Sequence, residues 1–359
     1  MAQKKAKGRV YVGMSGGVDS SVSAALLQKE GYEVIGVFMK VWQLDFLPCT
    51  WREERLDAMR VSAHLGIPLL TWDFEKEYKE GVADYMISEY KAGRTPNPDV
   101  MCNREVKFGA FFRRSIDEGA DFVATGHYAQ VVHSKSGVQM LKGVDDAKDQ
   151  SYFLWTLGQE QLSKTFFPIG GFKKSHVRTL AKKFNLPVAE KKDSQGLCFV
   201  GKLDMKDFLA HYIEEKEGSV LNEKGETIGT HRGVYFYTLG ERHGFTVTKK
   251  SADDAPFYII AKDLVANTIT VAHQTKSALQ CASVELQASQ ASFCSGALLD
   301  TKKKYTAQVR YHGEQYKCRI AELSETTFTL NLDKPAVFDA GQSVVLYDEE
   351  ECLGGGVIG

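Results

Sequence analysis

The chain has 359 residues, 43% of them hydrophobic and 25% charged, with a formal net charge of −1. That length accommodates two or three domains, and the near-neutral balance excludes a globally basic nucleic-acid binder, so any RNA surface has to be a local patch. No apolar run approaches the roughly 18 residues of a membrane helix, and the opening MAQKKAKGR lacks the apolar stretch of a secretory signal; the expectation is a cytoplasmic protein with no membrane partner.

Residues 9–14 (RVYVGM) form a short apolar, β-branched run, the pattern of a buried parallel strand. Over 20–30, Val22, Ala25 and Leu26 recur at helical spacing and Gly31 is placed to end the helix. Between strand and helix lie Gly13, Met14, Ser15, Gly16, Gly17, Val18, Asp19 and Ser20. Glycines let the backbone approach a ligand, and the helix N-terminus favours an anion, so phosphate is the expected guest.

Residues 33–39 (EVIGVFM) read as a second strand. Leu56, Met59 and Ala63 give a helical stripe ending near Gly66. A third strand follows over 69–74, then a polar helix up to Gly93. Phe108, Phe111 and Phe112 mark another helix, closed by Gly119, and 121–125 (DFVAT) is a strand running into Gly126, His127 and Tyr128. Strands alternating with helices predict an α/β domain with a doubly wound parallel sheet, whose ligands sit outside the carboxyl ends of the strands. A small hairpin is expected over 131–142. Val177, Leu180, Ala181 and Phe184 line one side of a further helix; Lys174, Arg178 and Lys182 on its other side read either as an RNA-facing stripe or as a solvated face. Asp204 is placed to cap a helix running to Tyr212.

The texture changes near Glu217. A hairpin turns at Lys224-Gly225, and strands at 257–261 and 268–272 flank Ala266-Asn267. From about Cys281 there are short strands, at 306–311, 315–320, 327–332 and 342–347, spaced as in a small β-barrel or sandwich. The expected divisions are 1–215, 216–278 and 279–359.

The first loop is not a Walker A loop, because no Gly-Lys-Ser/Thr follows, and it is not Gly-x-Gly-x-x-Gly. It resembles the pyrophosphate loop, Ser-Gly-Gly-x-Asp-Ser/Thr, of enzymes that split ATP between the α and β phosphates and adenylate a substrate. Ser15, Gly16, Gly17, Asp19 and Ser20 match that pattern. An ordinary strand-to-helix turn needs one glycine, not this string.

Seven cysteines, an odd number with no Cys-x-x-Cys pair, point to reduced thiols in a reducing compartment. In RTPNPDVMCN (94–103), Asn97 suits an N-cap and Pro98 the first helical position. That helix puts Asp99 and Cys102 on one face. The helix N-terminus favours a Cys102 thiolate, whereas the Asp99 carboxylate opposes it. The pair suits controlled proton transfer, or it is a buried cysteine beside a capping aspartate; the segment alone leaves both open. In KKDSQGLCFV (191–200), Cys198 sits among charges and turn formers, where a structural cysteine is least needed, and Lys191 and Lys192 are placed to lower its pKa.

GMSGGVDSSV, KAGRTPNPDVMCN, ATGHY, KDQSYFL, KKDSQGLCF and the closing CLGGG, in this order and spacing, resemble the bacterial tRNA-specific 2-thiouridylase family over nearly the whole chain. The resemblance implies an adenine nucleotide alpha-hydrolase-like domain, a small central domain and a C-terminal β-barrel. It implies that ATP, with Mg²⁺, adenylates the C2 oxygen of a wobble uridine. Cys198 then carries a persulfide loaded by a cysteine desulfurase or a sulfur relay protein. Cys102 matches the partner catalytic cysteine, able to close a disulfide with Cys198, and Asp99 the acid/base. Asn97, Pro98 and Asp99 match the part meeting the target base. His127, Lys148, Asp149, Gln150, Arg310, Tyr311 and Gln342 match tRNA contacts, and Met39 and Gly126 match ATP-site positions. No metal-ligating residue is assigned from the sequence. One departure stands out: Glu241 replaces a neutral amide, and Phe245-Thr246-Val247 lacks the family's glycines.

Three other readings remain at this point. Another adenylating synthetase has no need of both Cys102 and Cys198. A non-catalytic tRNA-binding protein has no need of an intact loop. An iron–sulfur protein usually offers three or four thiolates.

Overall fold

A computed structural model describes residues 6–43, 51–134, 137–193, 205–248, 255–273 and 283–359. Cys198 and Asp204 lie outside the described residues.

The first sheet is parallel. Its strands are β1 (Arg9–Gly13), β2 (Glu33–Lys40), β3 (Leu69–Asp73), β4 (Phe122–Ala124) and a short one at Thr165–Phe166. The spatial order is β3, β2, β1, β4 and then Thr165–Phe166. The chain therefore steps outward from β1 to β3, then returns to the other side of β1. That reversal opens a crevice between the carboxyl ends of β1 and β4, the switch point where ligands bind in doubly wound sheets. The pyrophosphate-type loop leaves β1 there, and Gly126 follows β4.

Helix α1 (Val18–Glu30) packs on this sheet through small buried residues, Ser20, Ser21, Ser23, Ala24 and Ala25. The Ser21 and Ser23 hydroxyls donate to the carbonyls of Gly17 and Asp19, so burial leaves them satisfied. Gly31, at φ 94°, ends the helix in the left-handed conformation, as the sequence predicts. Helix α2 (Trp51–Leu65) forms where expected but shows the opposite face. Leu56 and Met59 are 48% and 42% exposed, and Ala58, Val61 and Ser62 are buried instead. The sequence carries apolar residues on two sides of this helix. The small side wins because Gly36 lets α2 approach the sheet, where Ser62 Oγ would lie 3.3 Å from a Cβ at Gly36.

The hairpin β5 (Ala129–Ser134) and β6 (Gly137–Lys142) forms as expected. It is not a free insertion. Strand β6 pairs with the last strand of the chain, Leu141 opposite Glu351 and Met140 opposite Cys352. The central sheet comprises Gly218–Leu221, Thr227–His231, Thr246–Val247, Phe257–Asp263 and Thr268–His273. Both predicted hairpins are present, with Asn267 at φ 53° in the second turn.

The C-terminal sheet runs Ser283–Phe293, Thr327–Ala336, Gln315–Leu323, Lys304–Gln308, Ser343–Asp348 and Glu351–Ile358 in spatial order. The first and last of these also pair, so six strands close into a barrel. Four were predicted; the two that close the barrel were not. Ser283–Phe293 is largely polar, and Glu351–Ile358 carries three consecutive glycines, a residue depleted in strands. Packing demands those glycines. A Cβ at Gly354 would lie 2.1 Å from Ser292 O, and one at Gly355 2.3 Å from Val344 O. Trp155, fully buried, packs on Gly355, and one core joins Val100, Cys102 and Trp155 to barrel residues Val345 and Tyr347.

Candidate functional site

The loop is preorganised by its own side chains. Ser15 N donates to Ser20 Oγ at 3.3 Å, and Gly17 N donates to Ser15 Oγ at 3.3 Å. Gly16 lies at φ 71°, a conformation that L side chains rarely adopt, with the carbonyl of Glu54 2.2 Å from where its Cβ would be. Gly17 is extended, and its nearest neighbour is Ser15 Oγ at 3.3 Å. Met14 and Val18 are buried in the core beneath the loop. Gly126 presses on the start of α1, 2.7 Å from Ser20 N by the same measure, and the Met39 methyl lies 3.0 Å from the Cβ position of Gly13. All the residues expected around the nucleotide therefore lie together.

A chain of ion pairs surrounds them. Asp19 accepts from Lys174 Nζ with both oxygens at 2.8 Å and from Tyr128 OH at 2.9 Å. Lys174 also reaches Asp193 at 2.9 Å, and Asp193 takes Arg178 at 2.6 Å and Lys148 at 3.3 Å. Burial alone would raise Asp193, but the hydrogen bonds from Lys174 and Lys148 outweigh it and hold the carboxyl below its usual range. Lys191 Nζ donates to Gly16 O at 3.1 Å and Asp57 at 2.8 Å.

One sequence expectation changes here. The stripe of Lys174, Arg178 and Lys182 is not a free cationic face. Lys174 is 14% exposed and turned to the loop, Arg178 is engaged by Ala189 O, Lys191 O and Asp193, and Lys182 pairs with Glu190. Lys191, expected to lower the pKa of Cys198, donates to Gly16 O and Asp57, while Cys198 lies outside the described residues. Replacing Lys174 by methionine is expected to lower tRNA-dependent pyrophosphate release at least about tenfold. The salt dependence of tRNA binding should stay as in the parent protein; a lost salt slope with unchanged pyrophosphate release would return Lys174 to an RNA role.

The second wall holds the Asn97 segment. Asn97 Oδ1 accepts from Val100 N at 3.2 Å, and Pro98 opens a helical run as predicted. That run is α-helical over Pro98–Met101 and π-helical over Cys102–Phe111. Cys102 is completely buried and Asp99 is half-buried. Near Asp99, Tyr311 forms a tilted ring cluster with Phe153, centroids 4.3 Å apart at 47°, and His312, 3.9 Å apart at 45°. Burial, then the charges of Asp149 and Asp99, push the Tyr311 hydroxyl up to about 12. Beside this cluster opens a polar cleft of about 370 Å³, lined among others by Lys142, Asp149, Tyr152, Tyr311 and Gln315.

The residues expected to touch tRNA divide into two kinds. Tyr311 lines the cleft, and Lys148 is partly exposed at its ion pair. The others brace the fold with their side chains, Asp149 doing so while also lining the cleft. Asp149 accepts from Gly143 N, Ser151 N and Ser151 Oγ. Gln150 accepts from Tyr128 N at 3.0 Å, Gln342 from Asp339 N at 3.2 Å, and Arg310 donates to Leu239 O at 2.6 Å. His127 is 7% exposed, between Phe108 and Phe167, with Nδ1 2.7 Å from Thr125 Oγ1 and Nε2 3.4 Å from Lys107 Nζ. Its ring is turned away from solvent.

Burial, with a smaller push from Lys107, holds His127 well below its ordinary value of 6.5. The native ring therefore stays neutral where the unfolded chain takes up a proton. Its contribution is complete above about pH 6.5 and is lost as pH falls, at up to about 1.4 kcal/mol per pH unit. Unfolding stability of the parent protein should accordingly drop from pH 7 toward pH 5 more steeply than that of His127→Gln; parallel profiles in urea titrations would refute the neutral buried ring.

Three family models match in succession: tRNA methyl transferase HUP domain over residues 8–202, tRNA methyl transferase PRC-barrel domain over 206–273 and aminomethyltransferase beta-barrel domain over 283–358. The tRNA-specific 2-thiouridylase of Enterococcus faecalis is 45% identical over 98% of this chain and 95% of its own. That of Bacillus cereus is 44% identical over 98% and 94%. The chain belongs to the tRNA-specific 2-thiouridylase family. A 4-thiouridine synthetase–RNA complex with bound ATP shares 20% identity over 54% of this chain and 46% of that chain, at a TM-score of 0.36.

The unusual Glu241 has a physical reason. Its carboxylate pairs with Lys206 at 2.7 Å and accepts from Thr238 N at 3.1 Å, so the charge is matched locally. Sequence reasoning missed Tyr128 as a partner of Asp19, Asp193 as the node between Lys148, Lys174 and Arg178, and Asp57 as the anchor of Lys191. The one available signal was that Lys191 and Asp193 occur in the same motif as Cys198. Among the described residues no group of three His, Cys, Asp or Glu side chains is placed to hold a metal ion, and no helix is long and apolar enough to cross a membrane.

Proposed function

We propose that the protein is a cytoplasmic, ATP-dependent tRNA-uridine 2-sulfurtransferase acting on a wobble uridine. The observation that supports this most is the Asp19–Lys174–Asp193 chain. It ties the adenylating-type loop to the segment that reaches Cys198 five residues later in the sequence. The uridine C2 oxygen attacks the α phosphate of ATP, and pyrophosphate leaves toward the N–H groups at the start of α1. The outer sulfur of a Cys198 persulfide then attacks C2, and AMP leaves. The Cys102 thiolate attacks Cys198 Sγ and releases the thiolated base. A Cys102–Cys198 disulfide remains, which a thiol reductant must open before the next turnover. In this reading Asp99, three residues before Cys102, takes the Cys102 proton.

Mg²⁺ would neutralise phosphate charge, with Asp19 as the carboxylate for it. Asp19 fits that role only once Lys174 yields, since Lys174 occupies both of its oxygens. A base buried in an anticodon must be splayed out to be modified, and the Tyr311 ring cluster near Asp99 supports an aromatic contact for it. A cysteine desulfurase or a sulfur relay protein supplies the persulfide.

The test is mass spectrometry of nucleosides from tRNA incubated with protein, ATP, Mg²⁺ and a persulfide source. Exchange of one oxygen for sulfur in uridine is expected. Pyrophosphate release without a thiolated base would indicate a different adenylating enzyme, and tRNA binding without pyrophosphate release a non-catalytic binder.

A further inference from the structure

We infer that Lys262 and Asp339 are positioning residues for the thiolation site, a buried ion pair through which the central sheet and the barrel fix the chain entering the Asn97–Asp99 wall. The inference rests on the reading that this wall handles the target base. The side chains are 9% and 6% exposed and meet at 2.6 Å. Lys262 Nζ has three protons and places each on a different part of the fold: Asp339 of the barrel, Tyr237 O of the central domain at 3.2 Å, and Gly93 O of the first domain at 3.1 Å. Asp339 Oδ2 additionally accepts from Thr95 Oγ1 at 3.0 Å and Leu239 N at 3.1 Å.

The groups gripped are those that carry both sides of the base-facing wall. Thr95 stands two residues before Asn97, and its N–H donates to Ala340 O at 2.7 Å. Gly341, at φ 88°, lies against Arg94 and Thr95, with a Cβ position 3.0 Å from each. Asp339 N holds the Gln342 side chain, and Leu239, held by Asp339, gives its carbonyl to Arg310, which precedes Tyr311. A buried ammonium is tolerated only when paired and fully hydrogen-bonded, and removing one partner leaves the other uncompensated. The pair therefore sets the distance between the Asn97–Asp99 segment and the Tyr311 ring cluster. It touches none of the loop residues 13–20.

The test compares Asp339→Asn, Lys262→Met, the double variant and Thr95→Val in the full chain. Thr95→Val removes only the hydroxyl, with its hydrogen bonds to Asp339 and Thr238, at nearly constant shape and keeps the question answerable if the charge variants fail to fold. Single-turnover thiolation at saturating tRNA should fall by about tenfold or more in the charge variants, since a misplacement near 1 Å is enough for that. The affinity for ATP without tRNA should stay within about twofold, because the loop is untouched. The double variant should be no worse than the worse single one. In the free protein, hydrogen exchange should quicken in a peptide covering 93–99 and not in one covering 13–21. Parental thiolation in a folded variant, equal loss of ATP affinity, or unchanged exchange over 93–99 would each overturn the inference. If the parent protein forms no thiolated base while the exchange change appears, the functional reading has failed and the positioning pair has not.

Discussion

Alanine at Gly16 and alanine at Gly17 are expected to abolish adenylation for different reasons, and the difference separates a loop that cannot form from a loop that cannot bind. Gly16 has φ 71° and no space: a Cβ would lie 2.2 Å from the backbone carbonyl of Glu54 in α2. Left-handed backbone costs an alanine roughly 1–2 kcal/mol before any clash, and the obstructing atom is backbone, which cannot swing aside. Gly16→Ala should therefore lose stability, by about 2–4 kcal/mol, along with activity. Gly17 is extended, and its Cβ position meets only Ser15 Oγ at 3.3 Å. Gly17→Ala should keep the parental unfolding transition within about 0.5 kcal/mol. It should still lose tRNA-dependent pyrophosphate release by about a hundredfold, some 2.7 kcal/mol in the barrier, because the methyl stands where an anion approaches the N–H groups. Urea unfolding and pyrophosphate release, measured on both variants, check this. A Gly17→Ala protein with parental turnover would show that no ligand comes close to that backbone, and the loop assignment would go with it.

How far the sequence carried the site depends on how local each feature is. The pyrophosphate-type loop is contiguous and its geometry follows from its own glycines and serines, so it was legible. Asn97 as a cap and Pro98 as the first helical residue are likewise local and were read correctly. The ion pairs that surround the loop are not local. Lys174 and Asp19 are 155 residues apart and Lys191 and Asp57 are 134 apart. Nothing in a helical stripe of cations says whether it meets carboxylates of its own fold or phosphates of another molecule. The same ambiguity hid the buried face of α2, where two apolar sides competed and the neighbouring glycine decided. The barrel itself was expected, but its last strand escaped notice because it uses glycine to fit against Val344 O and Ser292 O, and glycine carries no strand signal in isolation.

Serine at Cys198 and serine at Cys102 are expected to stop thiolation at different stages. Both changes leave an oxygen of similar size and remove a sulfur nucleophile, so each should cost essentially all turnover while leaving the loop chemistry intact. Cys102 is completely buried in the core that joins the first domain to the barrel, so an external sulfur donor has no route to it in the free protein. Cys198→Ser should therefore accept no persulfide sulfur, whereas Cys102→Ser should accept one sulfur on Cys198 and then fail to release a thiolated base. Both variants should still release pyrophosphate in the first turnover with tRNA, because neither residue belongs to the 13–20 loop. Intact-protein mass spectrometry after treatment with a cysteine desulfurase and cysteine reads the loading as a gain of one sulfur. A disulfide between the two requires Cα atoms within roughly 7 Å, and Cys102 Sγ must leave its buried position to form it. Alkylation of Cys102 should accordingly be slow in the free protein and quicken when ATP and tRNA are bound. Loading on Cys102 alone, or equal loading in both variants, would reverse or remove the division of labour.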